Sequence, residues 1–568
     1  MFQKNSNKKK FNSFVLIKLF AVVFILMMLL FSQNYAKQDG SDDKYINTNK
    51  ELVKKDTNLI YLDSIQIVNF LKHYSLAKTY SKNLELFYSK RNYECAWMDN
   101  SGINEYAENV LNLLNQKNEK TNFYLYHDKI QTLYNLVLDD NYNSRNKDSL
   151  KIQLELLLTI NFFDYAKKNW GSVSKEETKK VGWLMDRKKL NYENLLDTIL
   201  KNEAYFIFSF EPVYSQYRFL KKYLIKYNDI ENKGGWVNWT NKVKILKKGD
   251  SSSVITLVKK QLFMLEDLKE NNQSDLFDDN LEDAVKKFQK RNGLKEDGII
   301  SGKTLLAMSV PIHQLIEQIL INMERCKWVP IEQKGDYLIV NIPDFKLYVY
   351  NNDKLEWSCN VVVGKSKVTN NTVIFNDNIE EIVFSPYWNI PRNIMIKETL
   401  PEIKKNPNYL ASHNMEVVNA AGHRVSIPSA NWKNYTSSFP YMIRQKPGID
   451  NALGLVKFLF PNSYDIYMHD TPSKSLFGES TRMFSHGCIR IENPVKLVKF
   501  LLREDSIYTD EKINALMHGG KQTFVKLKNK VPVFIAYFTA WVDNDEKLNF
   551  RSDVYHHDSK MNMLLFAN

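Results

Sequence analysis

Apolar residues recur at helical spacing over the first half of the chain and with a period of two over much of the second. Between about residues 60 and 240, stripes such as Leu150, Leu154, Leu157 and Ile160, or the run Leu195–Leu200, alternate with charged positions, and few Gly or Pro interrupt them. This predicts a mostly helical domain with its aromatic and Met residues in the core. A shorter unit spans about 243–312. Lys248-Gly249-Asp250 opens it, and Val254, Leu257, Val258 and Leu262 then share one helical face. A second helix, Leu281–Asn292, carries Ala284, Val285 and Phe288 on one side. Gly293 is the left-handed residue expected after that helix. Asp297-Gly298 makes a turn, and Gly302-Lys303-Thr304 starts a third helix.

From about 335 the pattern alternates. Tyr337–Ile342, Lys346–Tyr350 and Trp357–Val363 are predicted strands, with Asn351-Asn352-Asp353 as a hairpin turn. Further strands are expected at Ile382–Phe384, Val456–Leu459, Ile466–His469, Thr523–Leu527 and Val533–Val542. A helical insert with Asn and Pro, about 392–450, lies between two strands and so is placed over one end of the sheet as a cap. The expected architecture is α+β and multidomain: a helical domain (60–240), a small three-helix domain (243–312) and a β-rich domain (330–568) with a capping insert.

The N-terminus differs from all of this. Lys4, Lys8, Lys9 and Lys10 precede the apolar run Leu19–Phe31, 13 residues that suit a signal-peptide core. Counted from Phe14, with Lys18 snorkelling, the run is 18 residues, about the minimum for a spanning helix. Residues 1–40 are therefore an export segment. It is read as an uncleaved membrane anchor, with cleavage after Ala36 as the alternative; Asn34 fits a cleavage site poorly. Residues 41–59 are a polar linker. Both routes put the rest of the chain outside the cytoplasm.

The chain has 568 residues, is 44% hydrophobic and carries a formal net charge of +13. No compact Arg/Lys stripe with interleaved aromatics accompanies that charge, so nucleic acid is not an expected partner. Only four cysteines occur, Cys95, Cys326, Cys359 and Cys488, too few for a disulfide scaffold in an exported chain of this size.

Candidate chemistry concentrates in Ser485-His486-Gly487-Cys488-Ile489-Arg490-Ile491-Glu492-Asn493. A thiol becomes nucleophilic when a neighbour takes its proton or lowers its pKa. In extended backbone His486, Cys488 and Arg490 share a face, and Gly487 allows close approach. Upstream, Tyr467-Met468-His469-Asp470 ends a predicted strand. Alone, His-Gly-Cys also fits a buried Cys beside a satisfied His. A zinc site from His469, Asp470, His486 and Cys488 has the right ligand types, but their mixed spacing matches no closed site.

Together the segments resemble the L,D-transpeptidase (YkuD-type) catalytic domain: His469, 15 intervening residues, then Ser485-His486-Gly487-Cys488-Ile489-Arg490 and Asn493. Val363-Gly364-Lys365, Phe384-Ser385-Pro386-Tyr387-Trp388-Asn389-Ile390-Pro391, Asn451-Ala452-Leu453-Gly454 and the insert are similar to the large, periplasmic, YcbB-like subfamily. The unit 243–312, with Phe288-Gln289, Gly293-Leu294, Asp297-Gly298, Gly302 and Thr304, resembles the peptidoglycan-binding family 1 domain; a spacer without sugar affinity is the other reading. Two departures stand out: Cys326 where Trp is usual, and Thr372 after Asn371 where a Thr-Pro pair is usual. Neither is expected to touch the chemistry.

The resemblance implies Cys488 as nucleophile and His469 as its base. It implies His486, Gly487, Ser485 and Arg490 as oxyanion or site support, with Arg490 also a contact for a substrate carboxylate. Backbone N–H groups near Cys488 would hold the oxyanion, each contributing about 2.7–4 kcal/mol. Tyr467, Trp388 and Asn493 are candidates for binding substrate. The implied activity is peptidoglycan 3→3 cross-linking through a Cys thioester, in the periplasm, with stem peptides and glycan as partners, no metal or organic cofactor, and carbapenems as acylating agents. An L,D-carboxypeptidase on the same scaffold and a non-catalytic wall-binding protein are the alternatives.

Overall fold

The computed structural model describes residues 59–115, 125–139, 147–185, 190–201, 212–237, 239, 245–330, 335–367, 370–436 and 438–566. The predicted N-terminal anchor lies outside the described residues. Among those described, no single helix is long and apolar enough to cross a membrane.

The helical domain is organised around Lys147–Trp170. The stripe expected there is only part of its contact surface: Leu154 through Ala166 are buried on every side. Full burial leaves the helix's polar groups to be satisfied internally. The Glu155 carboxylate accepts the N–H groups of Ala96 (2.6 Å) and Trp97 (3.1 Å) and the Tyr88 hydroxyl (2.8 Å). Burial pushes Glu155 up to about 7, against these donors.

The small domain has the three predicted helices, Ser253–Met264, Asp279–Arg291 and Gly302–Met308. Gly293 follows the second with φ +65°. Its Phe-Gln…Asp-Gly motif is a structural clasp. Gln289 Nε2 donates to Asp297 Oδ1 (2.9 Å), the Ile299 carbonyl (3.0 Å) and Thr304 Oγ1 (3.2 Å). Gln289 Oε1 accepts the Gly298 N–H at 2.9 Å. Arg551 Nη1 donates to the Arg291 carbonyl at 2.9 Å, while its Nε donates to Asp344 Oδ1 at 2.7 Å, joining this domain to the β-rich one.

The β-rich domain contains β1 (Tyr337–Asn341), β2 (Lys346–Asn351), β3 (Lys354–Gly364), β4 (Phe375–Phe384), β5 (Trp388–Asn389), β6 (Met415–Val418), β7 (Met442–Gln445), β8 (Val456–Leu459), β9 (Met468–His469), β10 (Met483–Ser485), β11 (Ile489–Ile491), β12 (Thr523–Ala536), β13 (Ala540–Val542) and β14 (Leu548–Phe550). Nine of them form one sheet in the order β10-β3-β11-β9-β8-β4-β12-β1-β2. The β2–β3 pairing closes it on itself, which removes most free edges. The two expected strands over 523–542 are resolved differently. β12 runs unbroken from Thr523 to Ala536, joining the first to the start of the second, with a register shift between Lys526 and Val531; the remainder forms β13, which pairs with β14.

The insert is mixed rather than only helical. Its turns Arg392–Lys405 and Tyr409–Ser412 are joined by a three-stranded sheet, β5-β7-β6. The strands Met415–Val418 and Met442–Gln445 are only four residues long and do not alternate cleanly, so they were not legible among the surrounding Asn and Pro. The insert has its own core of Ile390, Met395, Leu400, Ile403, Val417, Trp432, Phe439 and Ile443.

Gln289→Ala leaves the Gly298 N–H and the Asp297–Thr304 turn without their buried partner. We expect a loss of about 1–3 kcal/mol of stability, read as a lower urea midpoint.

Candidate active site

Two short parallel strands build the site. β9 pairs with β11 so that Met468 faces Ile489 and His469 faces Arg490. The Ile489 N–H donates to the Tyr467 carbonyl at 3.0 Å. On its other side β9 runs antiparallel to β8, with Lys457 opposite His469. Registered neighbours share a face, so Lys457, His469 and Arg490 line up across three strands. Met468 and Ile489 point the other way, into the core. Tyr467, two residues before His469, returns to the first face, its ring 5.7 Å from the imidazole.

Cys488 stands just before β11. Its thiol donates to the Asp465 carbonyl, 3.5 Å away. It also meets the backbone N–H and the hydroxyl of Tyr467. Burial pushes the Cys488 thiol up, while the two Tyr467 donors and the Lys457 charge pull it down. Burial, reinforced by Cys488, pushes the Tyr467 phenol well up, so it stays a neutral donor.

His469 is 5% exposed. Its Nδ1 lies 2.5 Å from the Asp470 carbonyl, which makes Nδ1 the protonated nitrogen and leaves Nε2 with the lone pair. The group orienting the imidazole is thus a backbone carbonyl, which no sequence motif marks. Burial, and then the Arg490 charge, push His469 down to about 3. It is neutral near pH 7, the form a general base requires.

The loop between β10 and β11 is clamped from two sides. Ser485 Oγ donates to the Cys488 carbonyl at 2.6 Å and accepts the Gly487 N–H at 3.1 Å. Gly487 adopts φ +124°, a conformation side chains rarely take. Its carbonyl accepts the Thr372 hydroxyl at 2.7 Å, and Thr372 Oγ1 in turn accepts the Gly364 N–H at 2.9 Å. In a trans peptide this turns the Cys488 N–H the opposite way. That N–H makes no hydrogen bond among the described residues, so it is available to an oxyanion. Thr372, expected to be remote from the chemistry, instead holds the Gly487–Cys488 peptide plane. The turn after β3 brings it there, and spacing along the chain does not show that.

Other predicted residues are dispersed. His486 Nε2 lies 2.9 Å from Glu398 Oε1, in the helical turn Met395–Thr399 of the insert. Trp388 is in β5 and packs on the insert's own core. Asn493 is exposed before the helix Pro494–Leu502, and its backbone N–H faces Cys359. Val362 opposes Arg490, so Cys359 belongs to the other face of the sheet, away from Cys488. Asp470 binds Lys474 and the Leu455 N–H. Among the described residues, no group of three or more His, Cys, Asp and Glu is gathered to hold a metal. All four cysteines are free thiols, and Cys95, Cys326 and Cys359 are buried.

Residues 335–524 match the family model "L,D-transpeptidase catalytic domain". Residues 335–524 are thus similar to the catalytic domain of L,D-transpeptidases. Residues 82–224 match "Scaffold domain" and 252–308 match "Putative peptidoglycan binding domain". A Haemophilus influenzae protein named "Putative L,D-transpeptidase" is 32% identical over 297 residues, covering 52% of this chain and 57% of that relative. The match thus spans a little over half of the relative's length. A solved L,D-transpeptidase from Stackebrandtia nassauensis is 12% identical with a TM-score of 0.20, covering 53% of this chain and 97% of that one. Another, from Xylanimonas cellulosilytica, is 12% identical with a TM-score of 0.17, covering 52% and 100%.

Within the matched residues, Lys457 was missed from the sequence. Its one signal was a Lys between the apolar Val456 and Phe458 of a short strand. Tyr555, beyond the matched residues, donates to the Gly364 carbonyl at 2.5 Å and so braces the same clamp.

A neutral His469 sets a pH signature. Alkylation of Cys488 by iodoacetamide should climb steadily with the thiolate fraction from pH 5 to 8, with no inflection near 6.5. The check is the rate at each pH, with the modified peptide located by mass spectrometry. An inflection near 6.5 would mean that the imidazole titrates as if exposed.

Proposed function

We propose that the chain is a peptidoglycan L,D-transpeptidase that forms 3→3 cross-links through a thioester on Cys488. The supporting observation is the thiol's setting: two Tyr467 donors, a neutral His469 with a free Nε2, and a free Cys488 N–H share one face of the sheet.

In this reading His469 Nε2 takes the thiol proton. The thiolate attacks the carbonyl of the third stem residue, and the Cys488 N–H receives the developing oxyanion. The C–N bond to D-alanine breaks, and the imidazolium protonates the departing amine. The side-chain amine of a second stem then attacks the thioester. His469 accepts the amine proton, the C–S bond breaks, and Cys488 leaves as a thiol. Arg490 meets a substrate carboxylate. The insert, touching the loop through Glu398 and His486, limits water at the thioester. The small helical domain supplies affinity for the wall polymer, and the N-terminal segment holds the enzyme at the inner membrane, facing the periplasm.

Incubation with purified tetrapeptide stems tests the reaction. We expect free D-alanine and a dimer whose fragmentation shows a 3→3 link, both lost in Cys488→Ala. Tripeptide without dimer would instead assign a carboxypeptidase. Neither product would leave a wall-binding protein.

A further inference from the structure

Two cations on this face have no close ion-pair partner among the described residues. Lys457 and Arg490 flank His469 in register, one on each neighbouring strand. Neither makes an ion pair within 4 Å among the described residues, although most Arg side chains of this domain do find a carboxylate or carbonyl. Arg490 Nε is buried with no hydrogen-bond partner. Lys457 Nζ lies over the Tyr467 ring, 5.3 Å from its centroid, and so leans towards the thiol rather than away from the sheet.

Carboxylates near them do not neutralise the pair. Glu381 acts on Lys457 from the adjoining strand without an ion pair within 4 Å; it registers with Leu459 on β8, two residues from Lys457, and with Lys526 on β12. Asp465 is exposed and offers Cys488 its backbone carbonyl. Burial disfavours the charged forms of both Lys457 and Arg490, and the Cys488 thiolate offsets this in each. Keeping two partly desolvated cations unpaired is costly unless an anion arrives. A thiolate supplies one negative charge for two positive ones, so room remains for a second anion beside the sulfur.

We propose that Lys457, together with Arg490, forms a carboxylate-recognition pair that selects acyl donors ending in a free carboxylate one residue beyond the scissile carbonyl. This rests on the acyl-transfer reading above. It adds Lys457 as the residue that sets donor specificity: a terminal D-amino acid leaves with its carboxylate held, whereas an internal peptide bond offers nothing to the pair. Attack is thereby confined to stem ends.

The test uses two small electrophiles of nearly equal shape. Iodoacetate places a carboxylate one bond from the reacting carbon, and iodoacetamide is its neutral counterpart. In each case the Cys488 thiolate displaces iodide. The other cysteines are buried, so the full-length native protein reports on Cys488. We expect the iodoacetate-to-iodoacetamide rate ratio at Cys488 to exceed that of the urea-unfolded protein by about tenfold, the size of one charge-assisted hydrogen bond. Lys457→Met should bring it down towards the unfolded value, and Lys457→Arg should restore most of it. A loss of thiolate stabilisation alone would slow both reagents equally and leave the ratio unchanged, which overturns the proposal. A wild-type ratio equal to that of the unfolded protein overturns it without any variant. The substrate arm compares kcat/KM for a tetrapeptide donor and its C-terminal amide. Equal use of both by the wild type overturns the assignment to donor carboxylates. A raised alkylation ratio with no acyl transfer on either donor would keep the anion site and discard the enzymatic reading.

Discussion

The parallel pairing of β9 with β11, sealed by the Ile489 N–H on the Tyr467 carbonyl, is the contact on which the rest of the site depends. It brings two chain segments into register and decides which side chains share a face. A slip of one residue would send His469 into the core and Met468 to the thiol. Both strands are only two or three residues long, so they cannot hold that register alone. β8 and β3 support them on either side, and the closure of the sheet through β2 and β3 makes the arrangement rigid.

Burial of this face sets its electrostatics. Desolvation keeps His469 neutral and disfavours the thiolate, so the resting pair is uncharged. The Tyr467 donors and the Lys457 charge act when the sulfur becomes negative. These groups are placed to stabilise a negatively charged sulfur. The Thr372 clamp fixes the Gly487–Cys488 peptide plane next to the thiol.

Much of this was legible in the sequence, and the exceptions have physical reasons. Helical and alternating periods revealed the domain order, because burial of one face leaves that mark. That the Cys488 and His469 segments meet was legible from their spacing, and the pairing of β9 with β11 brings them together. Lys457 was not, since its role comes from a register across β8 and β9 that no local motif encodes. The orienting group for His469 was invisible because it is a backbone carbonyl. Asn493 looked close to Cys488 along the chain, but the strand end and following helix carry it to the opposite face. Trp388 belongs to a sheet inside the insert, whose short strands are too weakly patterned to be read among Asn and Pro.

The central claim is that Cys488 carries the acyl group. Intact-mass measurement of the full-length protein after brief exposure to a carbapenem tests it most directly. The account predicts one adduct per chain, located on the peptide containing Cys488, formed by the wild type and absent from Cys488→Ala. No adduct on the wild type, or an equal adduct on the variant, would contradict it.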